Sequence, residues 1–244
     1  MRRPLALVIV AKYPTPGRVK TRLQPQLSAA QSADVQRAFL LHVAQRLTAI
    51  HRHPVIVCHD PPDAAASFTT LLGGAVELLA QSPGTLGDRL AAASMALCAD
   101  YRSVLFFGVD SPDVPQASIM QVIDAAAAGD VILAPTADGG FWTMGVPTEI
   151  DLRPLLADIA WSSGSEFTQT TERLTAAGFA VKIGPAWSDV DRAGDLDALM
   201  KRLAGSDSLE DRVLFEKLKD VAGCESNPND ETRMTNQIRS SNDE

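Results

Sequence analysis

The chain has 244 residues, 45% of them hydrophobic and 21% charged, and its formal net charge is -8 at pH 7. This length and balance fit one large α/β domain and exclude a wholly disordered chain. The negative charge, together with the lack of a long Lys/Arg run, argues against general nucleic-acid binding. The apolar run at residues 5–11 is short and leads into Lys12 and a Pro/Gly loop, not into a signal-peptide cleavage site, and no stretch has the roughly twenty apolar residues of a membrane span. A cytoplasmic location is therefore expected.

Cysteine and histidine spacing predicts no site. The three cysteines are far apart, without a C-x-x-C pair, so neither a disulfide framework nor a structural zinc site is expected. The four histidines stand on different predicted elements without an acidic partner at metal-site spacing, and they are interpreted as surface or helix-end residues. The residues concerned are Cys58, Cys98, Cys224, His42, His51, His53 and His59.

Apolar runs alternate with helical periodicities along the chain, and this alternation predicts a largely parallel sheet covered by helices. The predicted strands are 5–11, 54–58, 75–79, 104–109, 131–135, 141–145 and 180–183. The predicted helices are 28–50, 64–72, an alanine-rich helix after the turn at 81–90, 116–128, 165–177, 193–204 and 208–221. The strand at 141–145 is expected to be antiparallel, because a hairpin turn precedes it. The polar composition after Gly223 predicts one domain, 1–222, followed by a disordered tail, 223–244.

The buried strand at 104–109 ends in two carboxylates, Asp110 and Asp113, on either side of a Ser-Pro turn. In α/β proteins the groups that bind ligands lie just beyond the carboxyl ends of such strands. A carboxylate at this place suits a hard cation, which prefers oxygen ligands. The alternative is that Asp110 only caps the following turn or helix, the commoner role of a lone Asp.

The loop after the first strand carries four cations, Lys12, Arg18, Lys20 and Arg22, and Gly17 and two prolines turn and stiffen it. Arg presents a planar fork to phosphate oxygens and Lys a compact charge, so this set suits a diphosphate or triphosphate. The alternative is a solvated surface loop. The position of this basic loop directly after a buried strand argues against that alternative.

The turn formed by Asp138, Gly139 and Gly140 follows another buried strand and precedes Phe141 and Trp142. Its glycines allow close approach of the backbone to a ligand, with a carboxylate at the bend. The alternative is an ordinary hairpin turn, for which Asp-Gly is a common choice.

Two further stretches carry polar groups at the ends of predicted elements. Gly84 and Gly87 precede a helix whose free amides would hold an anion or a base edge, unless both are simple turn glycines. Asp189 and Asp191 alternate along an extended segment near the end of the domain. A basic loop and several carboxylates together suit a nucleotide diphosphate with a divalent cation.

Six short segments, in this order along the chain, resemble the DUF2064 family, whose members are also described as radical-SAM/selenodomain-associated transferases. They are Pro16–Leu23, Leu86–Arg89, Gly108–Pro115, Ala137–Gly140, Trp161–Ser162 and Asp189–Asp191, and the resemblance covers roughly residues 5–200. It implies the three-layer α/β/α GT-A fold, or nucleotide-diphospho-sugar transferase fold, with a mostly parallel mixed sheet. Sugar nucleotidyltransferases and the molybdenum-cofactor and phospholactate guanylyltransferases share this fold, which does not by itself fix a function.

The resemblance also implies roles for individual residues. Asp110 corresponds to the metal-binding aspartate of the fold and Asp191 to a second carboxylate, with Mg²⁺ or Mn²⁺ as the ion. The implied nucleotide and phosphate site is Lys12, Gly17, Arg18, Lys20, Arg22, Gly87 and Asp110. The implied catalytic residues are Asp138, Lys20 and Arg22, and the implied acceptor pocket is Gly139, Gly140, Phe141 and Trp142. This chain has Phe141 and Trp142 where many relatives have paired tyrosines, and its polar tail has no counterpart.

Three functions compete at this point. The first is a metal-dependent transferase with a nucleotide-sugar donor, and the second a nucleotidyltransferase that takes an NTP and a phosphorylated acceptor and releases pyrophosphate. The third is a non-catalytic protein that senses a nucleotide. The expected partners are a nucleotide-sugar or an NTP and an unidentified acceptor, without nucleic acid, and a homodimer is left open.

Overall fold

The computed structural model describes residues 1–24, 26–50 and 52–223. Within these residues seven strands form one mixed sheet in the order β3-β2-β1-β4-β6-β5-β7, and β6 runs antiparallel to both of its neighbours. The strands are β1 (Arg3–Lys12), β2 (Val55–Asp60), β3 (Glu77–Ala80), β4 (Tyr101–Phe107), β5 (Val131–Pro135), β6 (Phe141–Pro147) and β7 (Val181–Ile183). The α-helices are α1 (Ala29–Ala49), α2 (Ala65–Leu72), α3 (Leu86–Leu97), α4 (Gln116–Ala127), α5 (Arg153–Leu156), α6 (Glu166–Ala176), α7 (Ala193–Ala204) and α8 (Leu209–Ala222).

The central strand β1 is buried on both faces, as its unbroken apolar sequence predicts. Leu5, Leu7 and Ile9 pack in the cluster that includes α1, α4, α7 and α8, whereas Ala6 and Val8 pack in the cluster of α3, α5 and α6. Successive side chains of a strand point to opposite faces, so this one strand contributes to both cores. The predicted three-layer α/β/α fold with a mixed sheet is therefore confirmed.

The order of the strands brings the polar segments of the sequence to one edge of the sheet. β1 pairs in parallel with β2 on one side and with β4 on the other, which is the kind of switch point that opens a crevice beyond the carboxyl ends of the strands. The basic loop follows β1 and Asp110 follows β4, so both lie there. Since β6 is antiparallel, as predicted, its first residues Phe141 and Trp142 come to the same edge.

Two helices that border this edge begin with side-chain caps. The Ser28 hydroxyl accepts a hydrogen bond from the Gln31 amide (3.2 Å), and the Gln31 side chain accepts one from the Ser28 amide (2.9 Å). Thr85 and Asp88 exchange the same pair of bonds at the start of α3. These reciprocal bonds satisfy amides that a helix start leaves free, so they fix where each helix begins.

The predicted strands and helices are all present in the described residues, with ends that differ by a few positions. The interpretation of the histidines was wrong for two of them, because His42 is only 6% exposed and His59 only 2%. α8 covers His42, and Phe68 packs against the His59 ring at 5.3 Å. Among the described residues, every helix is too short or too polar to cross a membrane.

The predictions for His51, Cys224 and the tail after Gly223 lie outside the described residues. The division of the chain into one domain and a tail stays a prediction.

Candidate functional site

Two adjoining chambers open at the carboxyl edge of the sheet. The first chamber, of about 500 Å³, lies among the basic loop, the start of α3 and the end of β4. The second chamber, of about 820 Å³, lies among the turn after β5, residues 161–166 and residues 188–195. Residues that line both, and so form the wall between them, include Arg22, Leu86, Asp110, Phe141, Ser162 and Asp191.

The basic loop supplies cations to the first chamber. Lys12, Arg18, Lys20 and Arg22 line it, together with Arg89 of α3, which the sequence interpretation had not assigned to a site. Arg89 is fixed there because it donates to the side-chain oxygen of Gln81 at 3.1 Å. The chamber is therefore suited to an anion with several charges.

Of the four glycines predicted at the site, Gly140 lines the second chamber. Of the described residues that line the two chambers, none is Gly17, Gly87 or Gly139. A side chain at Gly87 would come within 2.7 Å of the Leu156 carbonyl oxygen, so this glycine lets α3 pack on α5. The nucleotide and acceptor roles implied for these three residues stay predictions.

The wall between the chambers is an ion-pair network. Lys20 Nζ lies 2.5 Å from Asp110 Oδ1 and 3.8 Å from Asp191 Oδ1, and Arg22 donates to Asp191 Oδ2 at 2.8 Å. Lys20 Nζ also donates to the Val190 carbonyl oxygen, and the Val190 amide donates to the Asp110 carbonyl oxygen at 2.8 Å. Residues from opposite ends of the chain are thus held together at one place.

Asp138 and Asp189 form a second acidic pair, in the second chamber. Asp138 Oδ1 accepts hydrogen bonds from the Thr136 hydroxyl (2.6 Å) and the Gly140 amide (3.0 Å). Partial burial acts to raise the pKa of Asp138, but hydrogen bonds from Thr136, Gly140 and Asp189 outweigh it and hold that pKa below its ordinary value. Burial, and then repulsion by Asp138, raises the pKa of Asp189 to about 6. The two carboxyl groups therefore titrate as a pair, in which Asp189 keeps its proton to a higher pH than an ordinary aspartate.

The carboxylates fit a hard divalent cation. Asp138, Asp189 and Asp191 each offer an oxygen, and these oxygens all lie within 4.8 Å of one another. Asp110 is tied to Asp191 through Lys20. An all-oxygen donor set of this kind suits Mg²⁺ or Mn²⁺.

The two loops around Asp138 are packed glycine to glycine. Gly139 has φ +93°, and a side chain there would lie 1.9 Å from the Gly164 carbonyl oxygen. Ser162, in the facing loop, adopts a positive φ of 63°, which is uncommon for a residue with a side chain. This contact holds the turn that carries Asp138 against the loop that carries Gly164, and both line the second chamber.

Phe141 and Trp142 differ in how they line the chambers. Trp142 is buried, packs on Phe107 at 6.2 Å and donates from Nε1 to the Pro185 carbonyl oxygen at 2.9 Å. Phe141 is half-buried and meets Trp161 edge-on at 6.3 Å. Phe141 and Trp161 therefore form an aromatic pair at the second chamber, and Trp142 is held in place by its hydrogen bond.

Asp113, the second carboxylate of the Ser-Pro turn, does not line either chamber, although its partner Arg202 lines the second. It accepts hydrogen bonds from Arg202 (2.6 Å) and from Trp187 Nε1 (3.0 Å), and its side chain is 4% exposed. This buried pair ties the turn after β4 to α7.

Sequence reasoning assigned no site role to Glu166, which lines the second chamber. It is 7% exposed, and its Oε1 accepts a hydrogen bond from the Ser163 amide at 2.8 Å. The sequence placed it at a helix start, where an acidic residue is ordinary, so no local signal separated it from a capping residue.

The fold and its two chambers define a protein of the nucleotide-sugar-transferase-like kind. A provisionally assigned nucleotide-diphospho-sugar transferase from Desulfovibrio desulfuricans G20 is similar over 91% of this chain and 97% of its own, with 27% identity and a TM-score of 0.80. Two nucleotidyltransferases share the fold at lower identity. A 4-diphosphocytidyl-2C-methyl-D-erythritol synthase from Anaerococcus prevotii has 10% identity, 80% and 95% coverage and a TM-score of 0.51. A CMP:2-keto-3-deoxy-manno-octonic acid synthetase solved with CTP has 15% identity, 82% and 98% coverage and a TM-score of 0.52.

The resemblance to DUF2064 that the sequence indicates is confirmed. Residues 43–163 match DUF2064, an uncharacterized protein family conserved in bacteria. The matched part contains Asp110 and the Asp138 turn, but neither the basic loop nor Asp191. No protein of curated function matches the chain by sequence.

Proposed function

We propose that this protein is a metal-dependent transferase that uses a nucleotide-diphospho-sugar donor. The observation that carries the proposal is the pair of chambers, one cationic and one acidic, that meet at Asp110 and Asp191. A transferase needs its donor and acceptor side by side, so that the reacting atoms meet without a further search.

The first chamber would hold the donor. Its five cations, Lys12, Arg18, Lys20, Arg22 and Arg89, would bind the diphosphate and stabilise the negative charge that develops on it as the leaving group departs. Asp110 and Asp191 would hold Mg²⁺ or Mn²⁺, which would supply further charge neutralisation at the diphosphate. Asp138 and Asp189, the other two carboxylates of the cluster that contains Asp191, would then be available to act on the acceptor.

The second chamber would hold the acceptor. Asp138 and Asp189 lie side by side, and the pKa of Asp189, raised to about 6, lies close to neutral pH. A carboxyl group poised in this way is a better general base than an ordinary aspartate. The pair would orient an acceptor hydroxyl and take up its proton as the new bond to the sugar forms.

The charge of the second chamber favours sugar transfer to a hydroxyl over nucleotidyl transfer to a phosphate. Beside Asp110, its described lining includes the carboxylates of Asp138, Glu166, Asp189, Asp191 and Asp195. Of its arginines, Arg22 would bind the diphosphate of the first chamber, and Arg202 already pairs with Asp113. A phosphorylated acceptor would meet repulsion there, although the exposed Arg192 would offset part of it.

Nucleotidyl transfer is the second candidate. The five cations of the first chamber suit a triphosphate as well as a diphosphate. In that case the enzyme would release pyrophosphate, whereas sugar transfer releases a nucleoside diphosphate.

The released product separates the candidates. The protein is incubated with Mn²⁺ and each of a panel of UDP-, GDP-, ADP- and dTDP-sugars and NTPs, and nucleoside diphosphate and pyrophosphate are quantified, including slow release onto water. We expect nucleoside diphosphate from one donor class and a loss of at least a hundredfold in Asp110→Asn. Asp34→Asn, a matched change on the exposed face of α1, is expected to stay within twofold.

Pyrophosphate in place of nucleoside diphosphate would establish the second candidate. Nucleotide binding that survives Asp110→Ala, without any product, would indicate a non-catalytic nucleotide sensor.

A further inference from the structure

The ammonium group of Lys20 lies between Asp110 and Asp191, the two carboxylates to which the proposed function assigns the metal ion. Nζ lies 2.5 Å from Asp110 Oδ1 and 2.5 Å from the Val190 carbonyl oxygen, with Asp191 Oδ1 at 3.8 Å. Carboxylate and carbonyl oxygens are the ligands that Mg²⁺ takes at about 2.1 Å. An ammonium group and a metal ion therefore compete for the same oxygens.

Lys20 has two features that cost free energy, and surrounding contacts must offset both. Its side chain is only 5% exposed, and an ammonium group is stable at such depth only while oxygens surround it. Its backbone is left-handed, with φ 48° and ψ 37°, which residues with a side chain rarely adopt. Strain of this kind persists where the surrounding structure imposes it, commonly at functional sites.

Asp110 keeps a route for an incoming ion. Its side chain is 49% exposed, and it lines both chambers. Lys20 also lines the first chamber, so a displaced ammonium group has space beside the expected diphosphate.

We propose, on the basis of the transferase function proposed above, that Lys20 is a built-in counter-ion that a divalent cation displaces. In the free protein Lys20 neutralises Asp110 and Asp191. When the metal binds these carboxylates, the ammonium group leaves them and binds the diphosphate in the first chamber. Metal and diphosphate then bind with positive coupling, because each favours the displaced position of Lys20.

The test is the affinity of the protein for Mn²⁺ without nucleotide, measured from the electron paramagnetic resonance signal of unbound Mn²⁺. We expect Lys20→Met to bind Mn²⁺ about tenfold more tightly than the wild type, because the competing charge is gone. The same change is expected to weaken binding of UDP or GDP, since the cation that would meet the diphosphate is lost.

The matched control is Lys182→Met. It removes the same charge and likewise leaves an aspartate without its lysine, since Lys182 Nζ lies 2.6 Å from Asp130 near the amino ends of β5 and β7. We expect its Mn²⁺ affinity to equal that of the wild type. Lys20→Gly, which suits a left-handed backbone, is the second variant, and melting temperatures establish that each variant is folded.

Two results would overturn the proposed role of Lys20 but not the metal-dependent function. One is Mn²⁺ binding by folded Lys20→Met and Lys20→Gly that is no tighter than that of the wild type, which leaves the metal-dependent function standing. The other is a tightening that persists after Asp110→Asn is added, because the ion would then be bound by other carboxylates. Absence of Mn²⁺ binding in every variant and in the wild type would overturn both this role and the metal-dependent function.

Discussion

At the scale of single residues, backbone conformations that most side chains avoid shape both chambers. Lys20 and Ser162 have positive φ angles of 48° and 63°, and each lines the first chamber. Gly139 has φ +93° and touches the facing loop so closely that only a glycine fits. Strained conformations of this kind cost free energy, so the folded structure keeps them only where surrounding contacts impose them.

The close contact at Gly139 gives a prediction that a matched glycine isolates. Gly139→Ala is expected to lower stability by several kcal/mol more than Gly129→Ala, because a methyl group at 139 would collide with Gly164 whereas nothing lies within 4 Å of one at 129. Gly129 has a similar φ of +89°, so both variants include the cost of a left-handed alanine, about 1–2 kcal/mol. Urea denaturation measures both. Equal losses would mean that the two loops separate without cost.

At the scale of elements, α1 supports the turn that carries Asp110. Arg46 of α1 is buried and donates to the carbonyl oxygens of Pro112 (2.7 Å) and Val114 (2.6 Å). One turn earlier His42 is buried under α8, with Nε2 3.7 Å from Asp211. The packing of α8 on α1 thus supports the helix that holds the turn after Asp110.

Protonation of His42 is expected to weaken this contact. Burial, and then the nearby charge of Arg46, lowers the pKa of His42 to about 4, although Asp211 and Asp113 act in the opposite sense and Lys217 in the same sense. The unfolded chain, with an ordinary pKa of about 6.5, takes up a proton below pH 6.5 before the folded protein does. Stability is therefore lost as the pH falls from 6.5 to 4, and unaffected above that range.

The measurement compares the wild type with His42→Gln by urea denaturation at pH 7.5 and pH 4.5. Between these pH values we expect the wild type to lose on the order of 2 kcal/mol more than the variant. Equal losses of stability in the two proteins would show that the pKa of His42 is the same in the folded and the unfolded state.

At the scale of the whole molecule, one sheet joins the two cores. Leu7 and Val8 are adjacent in β1, and both are fully buried. Leu7 belongs to the cluster that includes α1 and α8, and Val8 to the cluster of α3, α5 and α6. A destabilising substitution in either core is therefore expected to lower the free energy of unfolding of the whole domain.

This expectation tests the single domain predicted from the sequence. Leu7→Ala is expected to cost about 2–5 kcal/mol. Val8→Ala removes less volume and is expected to cost less. Each variant should lower the midpoint of one transition that tryptophan fluorescence and far-ultraviolet circular dichroism report alike. Separate transitions in the two signals would mean that the two cores unfold independently.

Much of the fold was predictable because its signals are local. The apolar run of β1, the periodicity of α1 and the hairpin before β6 each lie within a short stretch, and the structure has all three. The burial of His42 was not predictable in this way, because it depends on α8, which is far away in the chain. The separation of Asp113 from Asp110 likewise depends on Arg202 of α7.

The sequence by itself determined the order of strands and helices, the family resemblance, and the presence of cations and carboxylates after strands, since periodicity and position at a strand end are local properties. Only the tertiary structure decided which of these groups meet. It placed the Lys20 ammonium group in contact with Asp110 and near Asp191, and it paired Asp138 with Asp189. Gly17 and Gly87 lie outside the lining of the chambers. These pairings join segments that strand order brings together across the sheet, and their partners are separated by up to 171 positions (Lys20 and Asp191), which no local pattern encodes.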